Sequence, residues 1–129
     1  MNKLVIVYGS LREGMGNHRV LGGAKKMGQF TIPEGVYYMV SLGGFPGLIP
    51  HRGGSEIVAE VYSCNEEQYQ AVEWLEGYPN FYDREKIDTP WGEGEVYTLD
   101  DSYADHKQVF NGDWCNPIYE EEIEKEMVA

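Results

Sequence analysis

Leu4-Val5-Ile6-Val7-Tyr8-Gly9 begins the chain with an unbroken apolar run, rich in β-branched residues and closed by glycine. A strand with one wet face alternates apolar and polar side chains, whereas an unbroken run suits a strand covered on both faces. The segment is therefore predicted to be a central strand. Further along, Ile57, Ala59 and Val61 alternate with Glu56 and Glu60 between Ser55 and Cys64. That is the pattern of a half-buried strand with its glutamates turned outward. Gln29 to Ile32 and Gly35 to Leu42 read as strands separated by Pro33, and Gly43 to Pro50 as a turn-rich loop. Tyr82 to Asp88 and Gly94 to Leu99 form two more strands, joined by a turn at Pro90-Trp91-Gly92-Glu93. Asn17 is the expected N-cap of a short helix reaching Met27 and ended by Gly28. Asn65-Glu66-Glu67-Gln68 has the form of a capping box, so a helix runs from there to Glu76 and stops at Gly77. The class is α+β with a mostly β core: about six strands and two or three helices.

The 129 residues suit one domain. Ten tyrosines and 16 glycines point to short strands, tight turns and a polar-rimmed cavity. The formal charge of −12 repels phosphate backbones and anionic headgroups, which argues against nucleic-acid and membrane partners. Part of that charge sits at the end, where Tyr119 to Glu126 holds five glutamates against one lysine. The expected division is a domain over 1–115 and an acidic C-terminal tail over 116–129, helical or frayed. No apolar stretch is long enough to span a bilayer, and the N-terminal run reads as a strand and not a signal peptide, so a cytoplasmic protein is expected. Cys64 and Cys115 have no metal-like spacing and are expected to be free thiols, with one disulfide left open. His18, His51 and His106 share no ligand spacing, so no metal site is expected.

Two segments carry the chemistry. On the helix ending at Gly77, Tyr69, Val72 and Glu76 share one stripe at 100° per residue, which points Glu76 toward the core, although spacing alone leaves open a carboxyl that frays outward at the helix end and is solvated. Burial, the negative end of the helix dipole and nearby Glu73 all disfavour its carboxylate, so a raised pKa is predicted. Such a carboxyl group can both take and give protons near neutral pH. The second segment is Tyr8-Gly9-Ser10-Leu11-Arg12, a strand opening into a glycine-containing turn. Successive backbone N–H groups of such a turn can hold a carboxylate or an oxyanion. Arg12 offers a cation for an anionic substrate, although a surface salt bridge is the commoner fate of such a residue. Tyr8, Tyr78 and Tyr82 are candidate hydrogen-bond donors in the cavity.

Taken in order, Tyr8-Gly9-Ser10-Leu11 with Asn17-His18 downstream, Leu75-Glu76-Gly77-Tyr78-Pro79 with Tyr82 and Arg84, and Gly112-Asp113-Trp114 resemble the motifs of the gamma-glutamylcyclotransferase-like family. The resemblance implies a small mixed β-barrel with flanking helices and a central cavity. It also implies conversion of a gamma-glutamyl amine or amino acid to 5-oxoproline and a free amine, a lyase-type acyl transfer without metal or cofactor. Within it, Glu76 matches the catalytic glutamate, and Tyr8, Gly9, Ser10 and Leu11 match the loop that binds the glutamyl end. Tyr82 matches a tyrosine of the cavity; Arg12, Glu73 and Arg84 are supporting residues, Glu73 standing where the family often has aspartate. The partner so implied is a small gamma-glutamyl molecule, met by a monomer or a homodimer. A rival reading is a non-catalytic module that keeps the cavity and binds a small metabolite.

Overall fold

β1 (Lys3–Val7) lies at the centre of a five-stranded sheet, as its unbroken apolar run predicts. The computed structural model describes residues 2–119. After β1 come β2 (Lys25–Ile32), β3 (Tyr37–Ser41), β4 (Pro46–Pro50) and β5 (Ile57–Cys64), then the helix α1 (Glu66–Glu76). β6 (Asp83–Thr89), β7 (Gly92–Thr98) and β8 (Lys107–Gln108) complete the order, with 3-10 turns at His18–Leu21 and Asp101–Tyr103. The strand order in the main sheet is β2-β5-β1-β7-β6, with β1 antiparallel to β5 and parallel to β7. A second sheet has the order β4-β3-β8.

Alternate residues of β1 feed two cores, as the two-residue period of a strand requires. Val5 and Val7 pack with Tyr62, Tyr97 and Leu99 beneath Tyr69 and Val72 of α1. Ile6 and Tyr8 pack with Ala59, Val61 and Val96 against Tyr37, Met39 and Leu48 of the second sheet. The α+β class stands, with a higher strand count and fewer helices than the sequence pattern indicates. Among the described residues there are eight strands and one α-helix, and no ladder closes the two sheets into a barrel.

Three local readings are corrected. The helix expected from Asn17 to Met27 is only the 3-10 turn His18–Leu21, because Gly22 adopts φ +58° and ends it. The chain then enters β2 at Lys25. The loop expected over 43–50 contains β4, whose register runs from Tyr37↔Pro50 to Ser41↔Pro46. Glu60, expected to point outward, is buried on the α1 side of the sheet, where Arg12 and the Tyr62 hydroxyl receive it. Alternation in sequence cannot show that the second face of β5 is also covered.

Past β8, the Phe110 N–H donates to the Ile118 carbonyl at 2.8 Å, so the described chain up to Tyr119 folds back beside its own preceding turn. The remainder of the acidic tail, 120–129, lies outside the described residues. Among the described residues no helix is long and apolar enough to cross a membrane. Cys64 and Cys115 are free thiols, and burial pushes the Cys64 thiol up to about 11.

Candidate active site

Asn65 and Gln68 form a reciprocal capping box at the start of α1. At its other end Gly77 adopts φ +64°, and its N–H reaches back to the carbonyls of Glu73 and Trp74. These caps fix the helical phase, and the phase places Glu76 at the wall of a cavity of about 220 Å³. Burial pushes the Glu76 carboxyl up to about 7. Glu73, offered from the sequence as a further cause, is paired with the Arg84 guanidinium instead.

The opposite wall is the turn after β1. Tyr8, Gly9, Ser10 and Leu11, the loop singled out by the family resemblance, all line the cavity. The turn is held from within: the Arg12 N–H donates to the Gly9 carbonyl, the Asn17 amide to Ser10 Oγ at 2.9 Å, and His18 Nδ1 to the Leu11 carbonyl at 2.9 Å. The backbone N–H groups of Ser10 and Leu11 make no backbone hydrogen bond among the described residues. They are therefore open to an acceptor brought by a ligand. Gly9 is required by closeness, since a Cβ there would sit 2.8 Å from the Pro46 ring.

Arg12 is not available to a substrate. It is buried, with Nε on Glu60 at 3.1 Å and Nη1 on Asp113 at 2.8 Å, and the same Glu60 accepts the Glu13 N–H and the Tyr62 hydroxyl. Those hydrogen bonds hold Glu60 below the usual carboxylate range against its burial. Behind the sequence's Gly112-Asp113-Trp114, then, is an acid that anchors the turn through Arg12. Arg84 is committed in the same way: it contacts Glu73 and the Tyr69 hydroxyl, and its guanidinium lies 4.0 Å from the centre of the Tyr78 ring.

Tyr82 lines the cavity as expected, but neither it nor Tyr8 offers its proton to the interior. The Tyr82 hydroxyl donates to the Pro46 carbonyl at 2.6 Å and the Tyr8 hydroxyl to the Tyr97 carbonyl at 2.7 Å. Sequence reasoning missed Asn17, Tyr97, Phe45 and Phe81 as cavity residues. Asn17 had a signal, its place in the first motif; Phe45 and Phe81 lie on turns far apart in the chain and meet edge to face at 5.9 Å. Tyr97 is 2% exposed, and its hydroxyl finds no acceptor for its proton among the described residues. Among those residues no group of three or more His, Cys, Asp or Glu side chains is placed to hold a metal ion.

A two-sheet α+β frame with one carboxyl group facing a turn of open N–H groups is thus the class that fold and pocket define. Residues 5–116 match the family described as gamma-glutamyl cyclotransferase, AIG2-like. The chain belongs to this family. A Vibrio cholerae relative is 37% identical over 119 residues, covering 92% of this chain and the whole of that protein. The Escherichia coli gamma-glutamylcyclotransferase family protein YtfP is 32% identical over 112 residues, and its solution structure superposes with a TM-score of 0.70 over 88% of this chain and 96% of that one. The crystal structure of the uncharacterized Pyrococcus horikoshii protein PH0828 superposes with a TM-score of 0.72 at 25% identity, covering 98% of this chain and 96% of that one.

Proposed function

We propose that the protein cyclises a gamma-glutamyl amine or amino acid to 5-oxoproline and releases the amine, with Glu76 as the proton carrier. The observation that carries this reading is the Glu76 carboxyl, raised to about 7 by burial in a cavity whose facing wall is a turn of open N–H groups.

The substrate enters with its glutamyl end toward the Ser10 and Leu11 N–H groups, which take its α-carboxylate. The α-amino group reacts as its free amine: as its nitrogen bonds to the gamma-carbonyl carbon, ionised Glu76 takes one proton from that nitrogen and leaves the single N–H of the ring. When the tetrahedral intermediate collapses, the original C–N bond breaks and Glu76 returns the proton to the leaving nitrogen. No water is consumed, and every proton taken is given back. A carboxyl group that titrates near 7 suits both halves of this exchange, because it is neither too weak a base nor too weak an acid at neutral pH. Since nucleophile and carbonyl belong to one molecule, holding that molecule folded supplies much of the acceleration. The leaving amine points toward the mouth, where Phe45 and Phe81 are half exposed.

The test is a panel of gamma-glutamyl amines and dipeptides incubated with the purified protein, with 5-oxoproline followed by mass spectrometry and Glu76→Gln as control. Release that depends on Glu76 is the expected result. Identical behaviour of wild type and Glu76→Gln across the panel sinks the reading, and binding without turnover in both returns the non-catalytic module.

A further inference from the structure

We propose that Tyr97 is a further catalytic residue of this site, its hydroxyl donating to the gamma-carbonyl oxygen as that oxygen becomes an oxyanion. The assignment rests on the cyclisation reading above and adds to it the group that stabilises the developing charge.

Three tyrosines, Tyr8, Tyr82 and Tyr97, stand close enough to Glu76 for its charge to act on their hydroxyls. Tyr8 and Tyr82 have already given their protons to the backbone carbonyls of Tyr97 and Pro46. Only the Tyr97 hydroxyl finds no acceptor for its proton among the described residues, although it is fully buried. A buried proton with no acceptor is unfavourable and rare in a finished core, so a residue that keeps one at the wall of a cavity is provided for something that enters. Arg84 approaches this hydroxyl as a donor to its oxygen, and a guanidinium cannot accept the phenol's proton. Burial also keeps the phenol protonated at neutral pH, as a donor must be.

The group is preorganised. Tyr97 sits in β7 opposite Arg84 of β6, its carbonyl accepts the Tyr8 hydroxyl, and its ring meets Tyr78 edge to face at 6.3 Å. Donors fixed before reaction are the ones that stabilise an oxyanion without reorganising. The position near Glu76 selects the acceptor. Glu76 must reach the α-nitrogen and then the leaving nitrogen, and both are bonded to the gamma-carbon in the intermediate. The oxygen on that carbon is the remaining acceptor within reach of both side chains. As the new C–N bond forms, the carbonyl π pair moves onto this oxygen; as the old bond breaks, the pair returns. Tyr97 keeps its proton throughout.

The experiment compares the whole chain with its Tyr97→Phe, Tyr8→Phe and Tyr82→Phe variants on the gamma-glutamyl compound of the panel that releases most 5-oxoproline. For Tyr97→Phe, kcat should fall by about 10²–10³-fold, the loss typical of one oxyanion donor. KM should stay within about 3-fold, since the interaction is made in the transition state. Thermal stability of Tyr97→Phe should hold or rise, whereas Tyr8→Phe and Tyr82→Phe, which each strand a backbone carbonyl, should lower it. A kcat within about 3-fold of wild type, or a loss confined to KM, overturns the assignment. If wild type releases no Glu76-dependent 5-oxoproline, the cyclisation reading has failed separately. Calorimetry with 5-oxoproline then decides for Tyr97: its lactam carbonyl oxygen stands where the gamma-oxygen stood, and Tyr97→Phe should bind it about 3-fold more weakly, the modest loss of a hydrogen bond to a neutral carbonyl. No binding to wild type, or equal binding to both, overturns the proposal.

Discussion

Two groups of polar side chains lie on the α1 side of the main sheet and are finished in opposite ways. Around Arg12 every charge has a partner: Glu60 and Asp113 take the guanidinium, and Glu60 also receives the Tyr62 hydroxyl and the Glu13 N–H. Around Glu76 the partners are lacking: its carboxyl is raised by burial, and the Tyr97 hydroxyl finds no acceptor for its proton among the described residues. The first group is what a fold needs from buried charge, which is expensive unless matched. The second is what a site needs, groups whose matching partner arrives with the substrate. The two groups are coupled, because Arg12 anchors the turn whose N–H groups face Glu76.

The contrast predicts that substitutions in the second group remove activity while sparing stability, and that those in the first act through stability. The largest effect is expected for Glu76→Gln: loss of the proton carrier should lower kcat by about 10³-fold, within the range for general acid–base catalysis, as read by 5-oxoproline release. Its folded pKa is raised from about 4.5 to about 7, so the carboxyl opposes folding progressively as pH rises through that window. Glu76→Gln should therefore be no less stable at pH 4.5 and more stable at pH 8, by at most ~3 kcal/mol, in thermal melts at the two values. A variant less stable at pH 8 would break the comparison.

Arg12→Ala should cost about 3–5 kcal/mol in chemical denaturation, since it strips the buried Glu60 of its cation and leaves the partly buried Asp113 unpaired. If it folds with full stability, the first group is not structural. The pH dependence of wild-type kcat/KM sharpens the second: below about 7 it should fall roughly tenfold per unit as Glu76 takes up its proton, and this limb should be absent from Glu76→Gln. The smallest effect is expected at the outer edge of the first group. Lys26 meets Glu13 at 2.9 Å with both side chains substantially exposed, and Lys26→Ala should change stability by about 0.2–1 kcal/mol, less at high salt.

Much of this was legible along the chain wherever one local rule governs. The run Leu4 to Tyr8 marked the central strand, and the capping box at Asn65 and the stop at Gly77 fixed α1 to the residue. Once α1 was phased by Tyr69 and Val72, Glu76 fell on the core-facing stripe, and the family motif favoured that reading over a solvated helix end. The motifs around Tyr8 and Glu76 carried the family. Glu60 was misread because alternation reports which residues share a face and not whether that face is covered; that Arg12 pairs with an acid was foreseen, but which acids, and that the pair is buried, only the fold decides. Tyr97 was missed because β7 is buried on both sides, and its tyrosine looks no different in sequence from Tyr8 or Tyr62.

By itself, then, the sequence determined the elements whose signals are local, the phase of Glu76 within its helix, and the membership that three short motifs and their order convey. Tertiary structure alone decided which charges are matched and which hydroxyl keeps its proton. Pairing joins residues far apart in the chain, Arg12 with Asp113 and Tyr82 with Pro46, and whether a polar group is satisfied depends on what the fold brings to within about 3 Å of it.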